Sequence, residues 1–384
     1  MRVAVWIHRG WVGAVLAAVA LLVAVPGARA FTPSQQHEMQ RIVERYRQAV
    51  DYPGLVVGVW KQGNGGFETA VGKANLDTGR PMALRDHFHI GSVTKTMTAT
   101  LVLQLVQRGR LKLHEPLDHF VHGVPLGNLI TVRSLLNHTS GLPTGPGPGV
   151  KRKVNHDIRR AITPRELIRP RLRAPRVGLP GEVWEYSNTG YWLLGRIVRE
   201  VTHKRLHDLY ARRIFDRVGM PHSTFRPPQP TPRPAAHGYV GGHHGEPLDI
   251  TPMNWSWAWT AGAVTSSLRD LKRWAPALAT GRGVLNRRTQ AKRLRFVDTG
   301  LTSLFSKVKY GLGIFKWPLP SGTFYGHNGE GPGYDTEVFY APGPKVTIVA
   351  LGNTSAGQDP ISLRHIDRIG LNGIVPLLAE AAAG

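Results

Sequence analysis

Ser92 and Lys95, three residues apart in "HIGSVTKTM" (residues 89–97), are the right types for a nucleophile and its base. A serine hydroxyl is a poor nucleophile at its free pKa and needs a neighbour to take its proton. A lysine amine can do that only where burial or nearby cations lower its pKa. Spacing alone is weak evidence, because Ser-x-x-Lys arises by chance about once in a chain of this length. A second copy stands at Ser306 and Lys309. Two downstream stretches hold residues that could close such a site: "YSN" (Tyr186, Ser187, Asn188) and "GHNG" (Gly326 to Gly329).

Local backbone separates the two serine–lysine pairs. After Ser92, Val93, Met97, Leu101 and Leu105 repeat every four residues, the stripe of a buried helix face. Residues three apart on a helix share one face, with Cβ atoms about 5–6 Å apart. Ser306 and Lys309 lie in "SKVKYG", an alternating pattern that predicts an exposed edge strand, where residues three apart point to opposite faces. Gly91 before Ser92 permits a tight approach into a helix start, whose free N–H groups can stabilise an oxyanion.

Taken together, "SVTK", "YSN" and "HNG" resemble the ordered motifs of the serine β-lactamase and penicillin-binding superfamily, Ser-x-x-Lys, Ser-Asp-Asn and Lys-Thr-Gly. The tyrosine in the second motif and the histidine in the third are similar to the class C β-lactamase and D-alanyl-D-alanine carboxypeptidase branch. The flanking text "LLNHTSGLP", "PGEVWEYSNTGYWLLG" and "GHNGEGPGY" carries the same resemblance, which covers most of Phe31 to Leu378. It implies that Ser92 is acylated, that Lys95 holds or shuttles the proton, and that Tyr186 is general base and acid, as a phenolate or by exchange with Lys95. It implies further that Asn188 binds the substrate amide and that His327 replaces the usual lysine in the electrostatics of the third motif. The backbone N–H groups of Ser92 and Glu330 would form the oxyanion hole, with Asn328, Gly329 and Glu330 along the substrate. Carboxypeptidases of this kind tend to offer threonines, where Asn328 and Glu330 stand here, to hold the substrate's terminal carboxylate. A Glu330 carboxylate there would repel it. That leaves room for an esterase, an amidase on other D-amino peptides, or weak β-lactam turnover.

The elements that must position these residues are legible in outline. "SQQHEMQRIVERYRQAV" reads as a first helix and "LVVGVW" (residues 55–60) as a strand. The glycine-rich residues 63–66 turn it into a hairpin. Helical signals run from Ser92 to about Gly219, including Thr163-Pro164-Arg165-Glu166, a capping box with proline at the first helical position. The proline-rich residues 226–234 predict an extended loop. A helix follows Ser266 or Ser267, strands run from Lys307 onward, and a last helix covers part of residues 363–379. The expectation is an α+β fold, an α/β sandwich. Its antiparallel sheet is built from both chain ends with flanking helices, and a mostly helical subdomain at about residues 92–250 is inserted in one domain, 31–384.

Composition bounds the setting. Residues 1–30 combine arginines at positions 2 and 9, an apolar run over 11–25 and a small-x-small end at Ala28-Arg29-Ala30. That pattern predicts a cleaved signal peptide, a secreted or envelope location, and no membrane span after cleavage. The chain has no cysteine, which excludes a lipidated cysteine, a thiolate nucleophile and cysteine metal sites. Net charge is +24, and the residues after the leader carry +21, because the leader holds three arginines and no acid. Residues 151–176 contain ten basic and two acidic residues and no aromatic, which argues against single-stranded nucleic acid. An arginine-rich solvated surface is the plainer reading; an anionic cell-wall polymer is the specific partner it would suit. Other signatures fail. "HEMQR" lacks the second histidine of a zinc helix, "GNGGFETAVGK" has the wrong spacing for a P-loop, and no Gly-x-Ser-x-Gly exists. His237, His243 and His244 sit in a Gly/Pro-rich loop rather than a metal site.

The sequence therefore predicts an exported serine hydrolase, free of metal and cofactor, acting on a small peptide, ester or β-lactam through a Ser92 acyl-enzyme. It would be D-alanyl-D-alanine carboxypeptidase-like or a related D-amino peptidase, with a broad esterase or β-lactamase-like enzyme as the alternative. The contrasting class is a non-catalytic basic envelope-binding protein.

Overall fold

The computed structural model describes residues 31–63, 65–241, 246–302, 306–355 and 373–384. The expected leader at 1–30, His243 and His244 lie outside the described residues. Among those described, no helix is long and apolar enough to cross a membrane.

Helix α1 (Pro33–Ala49) is the expected first helix, and Thr32 and Gln35 form a capping box at its start with Pro33 in the first turn. Strands β1 (Gly54–Lys61) and β2 (Gly66–Gly72) form the N-terminal hairpin. After the short β3 (His87–His89), helix α2 (Val93–Gln107) runs through the interior. A helical stretch follows: α3 (Val132–Leu136), α4 (Pro148–His156), α5 (Pro164–Leu172), α6 (Asn188–Thr202), α7 (Leu206–Tyr210) and α8 (Asp216–Val218). Gly219 ends it in the left-handed conformation that favours glycine. Strands β4 (Thr224–Phe225), β5 (Tyr239–Val240), β6 (Leu248–Asp249) and β7 (Val264–Ser267) make two small sheets, β3-β7-β4 and β5-β6. Helices α9 (Leu268–Thr280) and α10 (Arg287–Arg293) precede β8 (Val297–Thr302), β9 (Lys307–Tyr310) and β10 (Phe315–Leu319). The chain closes with β11 (Gly322–Gly331), β12 (Tyr334–Ala341), β13 (Val346–Gly352) and α11 (Ile374–Ala383).

The main sheet is antiparallel, in the order β2-β1-β13-β12-β11-β10-β9-β8, so strands from both chain ends meet where β1 pairs with β13. Val56, Val338, Val349 and Leu351 point toward α9 and the helical region, while Leu55, Val57, Ile348 and Ala350 point toward α1 and α11. Alternation along each strand thus buries apolar side chains on both faces, and the sheet is held between two helical layers.

Two expectations change in detail. The Val93–Leu105 stripe is buried, but so are Thr94, Thr96, Thr98 and Thr100 on the other side of α2. Their hydroxyls are satisfied inside; Thr98, for example, donates to the Thr260 carbonyl at 2.6 Å. The second serine–lysine pair does not lie at a sheet edge, because β9 is flanked by β8 and β10. Lys309 is exposed there and Ser306 donates to the Pro318 carbonyl, so the two do not cooperate.

Candidate active site

Gly91 adopts φ 47° and turns β3 into the start of α2. Ser92 occupies the N-cap position in helical conformation, and its hydroxyl caps nothing. A serine here ordinarily spends its oxygen on a free helix N–H; this one accepts from Lys95 Nζ at 2.8 Å instead. Lys95 is wholly buried, makes a second 2.8 Å bond to the Ala261 carbonyl, and has no carboxylate within ion-pair distance among the described residues. Burial without a counter-charge pushes its pKa well below the usual lysine value. A neutral amine keeps one N–H on Ala261 and offers its lone pair to the Ser92 hydroxyl. Ala261 is held by a tight turn in which Trp259 has φ 39° and Thr260 is tied to both α2 and Tyr191.

Helix α6 brings in the second motif. Ser187 caps it by accepting from Gly190 N, and Thr189 anchors it on the Pro143 carbonyl. Tyr186, one residue outside the helix, is partly exposed, and its hydroxyl hydrogen-bonds with Ser92. The Lys95 amine lies 4.8 Å from the Tyr186 ring centre. Desolvation raises the Tyr186 pKa above the ordinary phenol value, against the lowering by the Ser92 bond. The resting group is a phenol, not the phenolate that is one of the two expected forms. Asn188 is buried and opens the first turn of α6, two residues after Tyr186.

The strand β11 supplies the third motif. Its pairing with β10 ends at Gly326 opposite Phe315, so among the described residues no strand covers that side of residues 327–331. This bare edge runs beside the Gly91–Ser92 turn. A Cβ on Gly329 would lie 2.0 Å from the Ile90 carbonyl oxygen and 3.2 Å from Ser92 N. A Cβ on Gly91 would lie 2.8 Å from the Glu330 carbonyl oxygen. Both glycines exist because two backbones touch, and that contact sets the Glu330 backbone beside the Gly91–Ser92 turn.

His327 is fully buried. Its Nε2 accepts from the Tyr310 hydroxyl at 3.0 Å and its Nδ1 faces the Asn328 carbonyl, which fixes the tautomer with the proton on Nδ1. Burial, then Lys95, lowers its pKa to about 3. The imidazole is neutral, so it does not provide the positive charge of the lysine it was expected to replace.

Asn328 and Glu330 point to the other side of β11, opposite Glu337 and Asp335 of β12. Asp335 accepts from the Tyr52 hydroxyl at 2.8 Å, and neither Glu337 oxygen has a hydrogen-bond partner among the described residues. Burial, then Asp335, raises the Glu330 pKa to about 8. Glu330 is therefore mostly a neutral acid at pH 7, and the repulsion expected of its carboxylate is largely absent.

His138 is a site residue that motif reasoning did not single out. It is buried, holds φ 64°, and its Nδ1 accepts from Ser187 N at 3.1 Å. Its ring packs on Tyr186, Tyr310 and Tyr191, with centroids 4.3, 4.7 and 5.1 Å away. The signal was present in "LLNHTSGLP", but nothing local tells that this histidine backs a tyrosine 48 positions on. His237 instead pairs with Asp249 at 2.7 Å, and no cluster of metal-ligating residues occurs among those described.

The family model described as Beta-lactamase matches residues 39–371. Among solved structures, a D-amino acid amidase from Ochrobactrum anthropi SV3 superposes with TM-score 0.78 at 26% identity, covering 91% of this chain and 98% of that one. A D-stereospecific amidohydrolase from Streptomyces sp. gives TM-score 0.76 at 27% identity over 84% and 96%. Penicillin-binding protein 4* of Bacillus subtilis (strain 168) is 26% identical over 83% of this chain and 72% of its own length. Protein flp of Staphylococcus aureus (strain N315) is 27% identical over 63% of this chain and 49% of its own, so this chain spans about half of that relative.

Proposed function

The chain belongs to the β-lactamase family of serine hydrolases, and on that premise we propose that it is an exported amidase that cleaves the amide bond of D-amino acid amides or short D-amino peptides. The observation that carries this reading is the 2.8 Å contact between Ser92 Oγ and a buried, unpaired Lys95 amine, placed under the Tyr186 hydroxyl.

The Ser92 hydroxyl proton passes to the Lys95 lone pair as Oγ attacks the substrate carbonyl. The oxyanion is held by the N–H groups of Ser92 and Glu330, and Asn188 takes the substrate amide. Tyr186 gives its proton to the leaving nitrogen and receives one from Lys95, so the amine is neutral again in the acyl-enzyme. Water then repeats the sequence, passing its proton through Tyr186, and frees Ser92. An extended substrate can add a strand to the open edge at residues 327–331. His327 and His138 act as neutral supports, the first for that edge and the second for Tyr186.

The D-amino acid reading is supported by the two amidohydrolases of similar fold. A protonated Glu330 is compatible with a peptide that ends in a carboxylate. The leader-like residues 1–30 and the likeness to penicillin-binding proteins support an extracytoplasmic site of action.

The test is a panel of D- and L-phenylalanine amide, a D-alanyl-D-alanine peptide, a p-nitrophenyl ester and nitrocefin, run on the wild type and on Ser92→Ala. D-selective amide turnover that disappears in Ser92→Ala, together with loss of covalent labelling by a fluorescent penicillin or a phosphonate, is the expected result. Preference for the ester, or undiminished labelling of the variant, overturns it.

A further inference from the structure

A cavity of about 930 Å³ opens between α5, α6 and the turn after α6, and none of Ser92, Lys95, Tyr186 or His327 lines it. Arg165 and Arg169 reach it from α5, Arg196 and Arg199 from α6, and Lys204 from the turn. The spacing is four residues on the first helix and three on the second, so each pair shares a face. Like charges so placed repel one another along each helix. None of these five cations has a carboxylate within 4.0 Å among the described residues. The single acid of α5, Glu166, is taken by Lys153 of α4 at 2.6 Å. Arg205 at the rim is already paired with Asp208, which leaves Glu200 as the one acid lining the cavity.

The floor is apolar, made by Ile168, Leu172, Leu206 and Trp259. Guanidinium forks bind phosphate oxygens bidentately, and several converging on one concavity can hold several such oxygens at once. The five side chains are exposed, yet two helices and a turn bring them to the lining of one concavity. Five uncompensated cations also exceed what one monoanion can neutralise.

We propose that this cavity is a binding site, separate from the catalytic cleft, for an anion carrying several closely spaced phosphate groups. Arg165, Arg169, Arg196, Arg199 and Lys204 supply the charge, and the size of the cavity suits a small ligand rather than a single ion. The inference does not depend on the activity proposed above.

The probe is sodium tripolyphosphate, titrated calorimetrically into the full chain beside pyrophosphate and orthophosphate at two salt concentrations. Arg196→Glu/Arg199→Glu removes the site. Arg287→Glu/Arg288→Glu on α10, with exposed side chains outside the cavity, changes net charge equally. Saturable 1:1 binding is expected, tightening from orthophosphate to tripolyphosphate, weakened at least tenfold by the first variant and under twofold by the second. The milder Arg165→Ser/Arg169→Ser is expected to weaken binding too, with amide or ester turnover unchanged as evidence of intact folding. An absence of saturable binding, orthophosphate binding as tightly as tripolyphosphate, or equal weakening by the α10 control would overturn the proposal.

Discussion

Replacing Glu330 with glutamine should make this protein more stable at alkaline pH and leave it unchanged in acid. The acid is buried on β11 opposite Asp335, and its pKa rises from 4.5 to about 8, chiefly by burial. Between those values the native state keeps a proton that the unfolded chain has lost. Stability from this group is therefore complete below the unfolded pKa and is lost as pH rises toward the folded one. The full shift corresponds to roughly 5 kcal/mol at 1.36 kcal/mol per unit. Glu330 is partly exposed, so solvent screening reduces the effect and about half of that is expected. Glutamine has the shape of the protonated acid and does not titrate. Urea unfolding of both proteins at about pH 4, 6, 8 and 9 isolates the term by difference. The gap should be near zero at the acid end, grow to about 2–3 kcal/mol in favour of the variant by pH 8, and level off above it. A gap that stays flat across the range refutes the burial argument.

Lys95→Ala and Lys95→Arg should both lower the acylation rate by about 10²–10⁴-fold, because a guanidinium retains the charge but cannot accept a proton. Single-turnover acylation checks this, and an arginine variant within tenfold of wild type would show that charge, not the lone pair, matters. Gly329→Ala places a Cβ 2.0 Å from the Ile90 carbonyl oxygen, so β11 must retreat from the nucleophile. Acylation should drop by about 10²-fold or more, as for loss of an oxyanion-hole donor. Gly343→Ala, where an added Cβ meets nothing within 4 Å, should match the wild type in the same assay.

Much of the catalytic grammar is local and was readable from residue order. A three-residue separation on a helix brings Ser92 and Lys95 together whatever surrounds them, because helical geometry dictates it. The capping box at Thr163, the hairpin of β1 and β2, and the glycine that ends α8 are short-range events of the same kind. The hairpin-length connections between strands likewise pointed to an antiparallel sheet, although β9 proved to be an interior strand.

What the order of residues could not state is what each group becomes once surrounded. Lys95 is pushed toward its neutral form because it is buried without a counter-charge among the described residues, and that burial depends on Ala261, Tyr186 and Tyr191, from 91 to 166 positions away. His327 is neutral and Glu330 protonated for the same reason, so two residues whose types suggested a cation and an anion act as neither at pH 7. His138 joined the site only through long-range packing. Residue identity and short spacing determined which atoms could react, since covalent chemistry and helix geometry are properties of the chain itself. Their protonation and the meeting of Gly91 with Gly329 were decided by the tertiary structure, because desolvation and backbone contact exist only between segments that folding brings together.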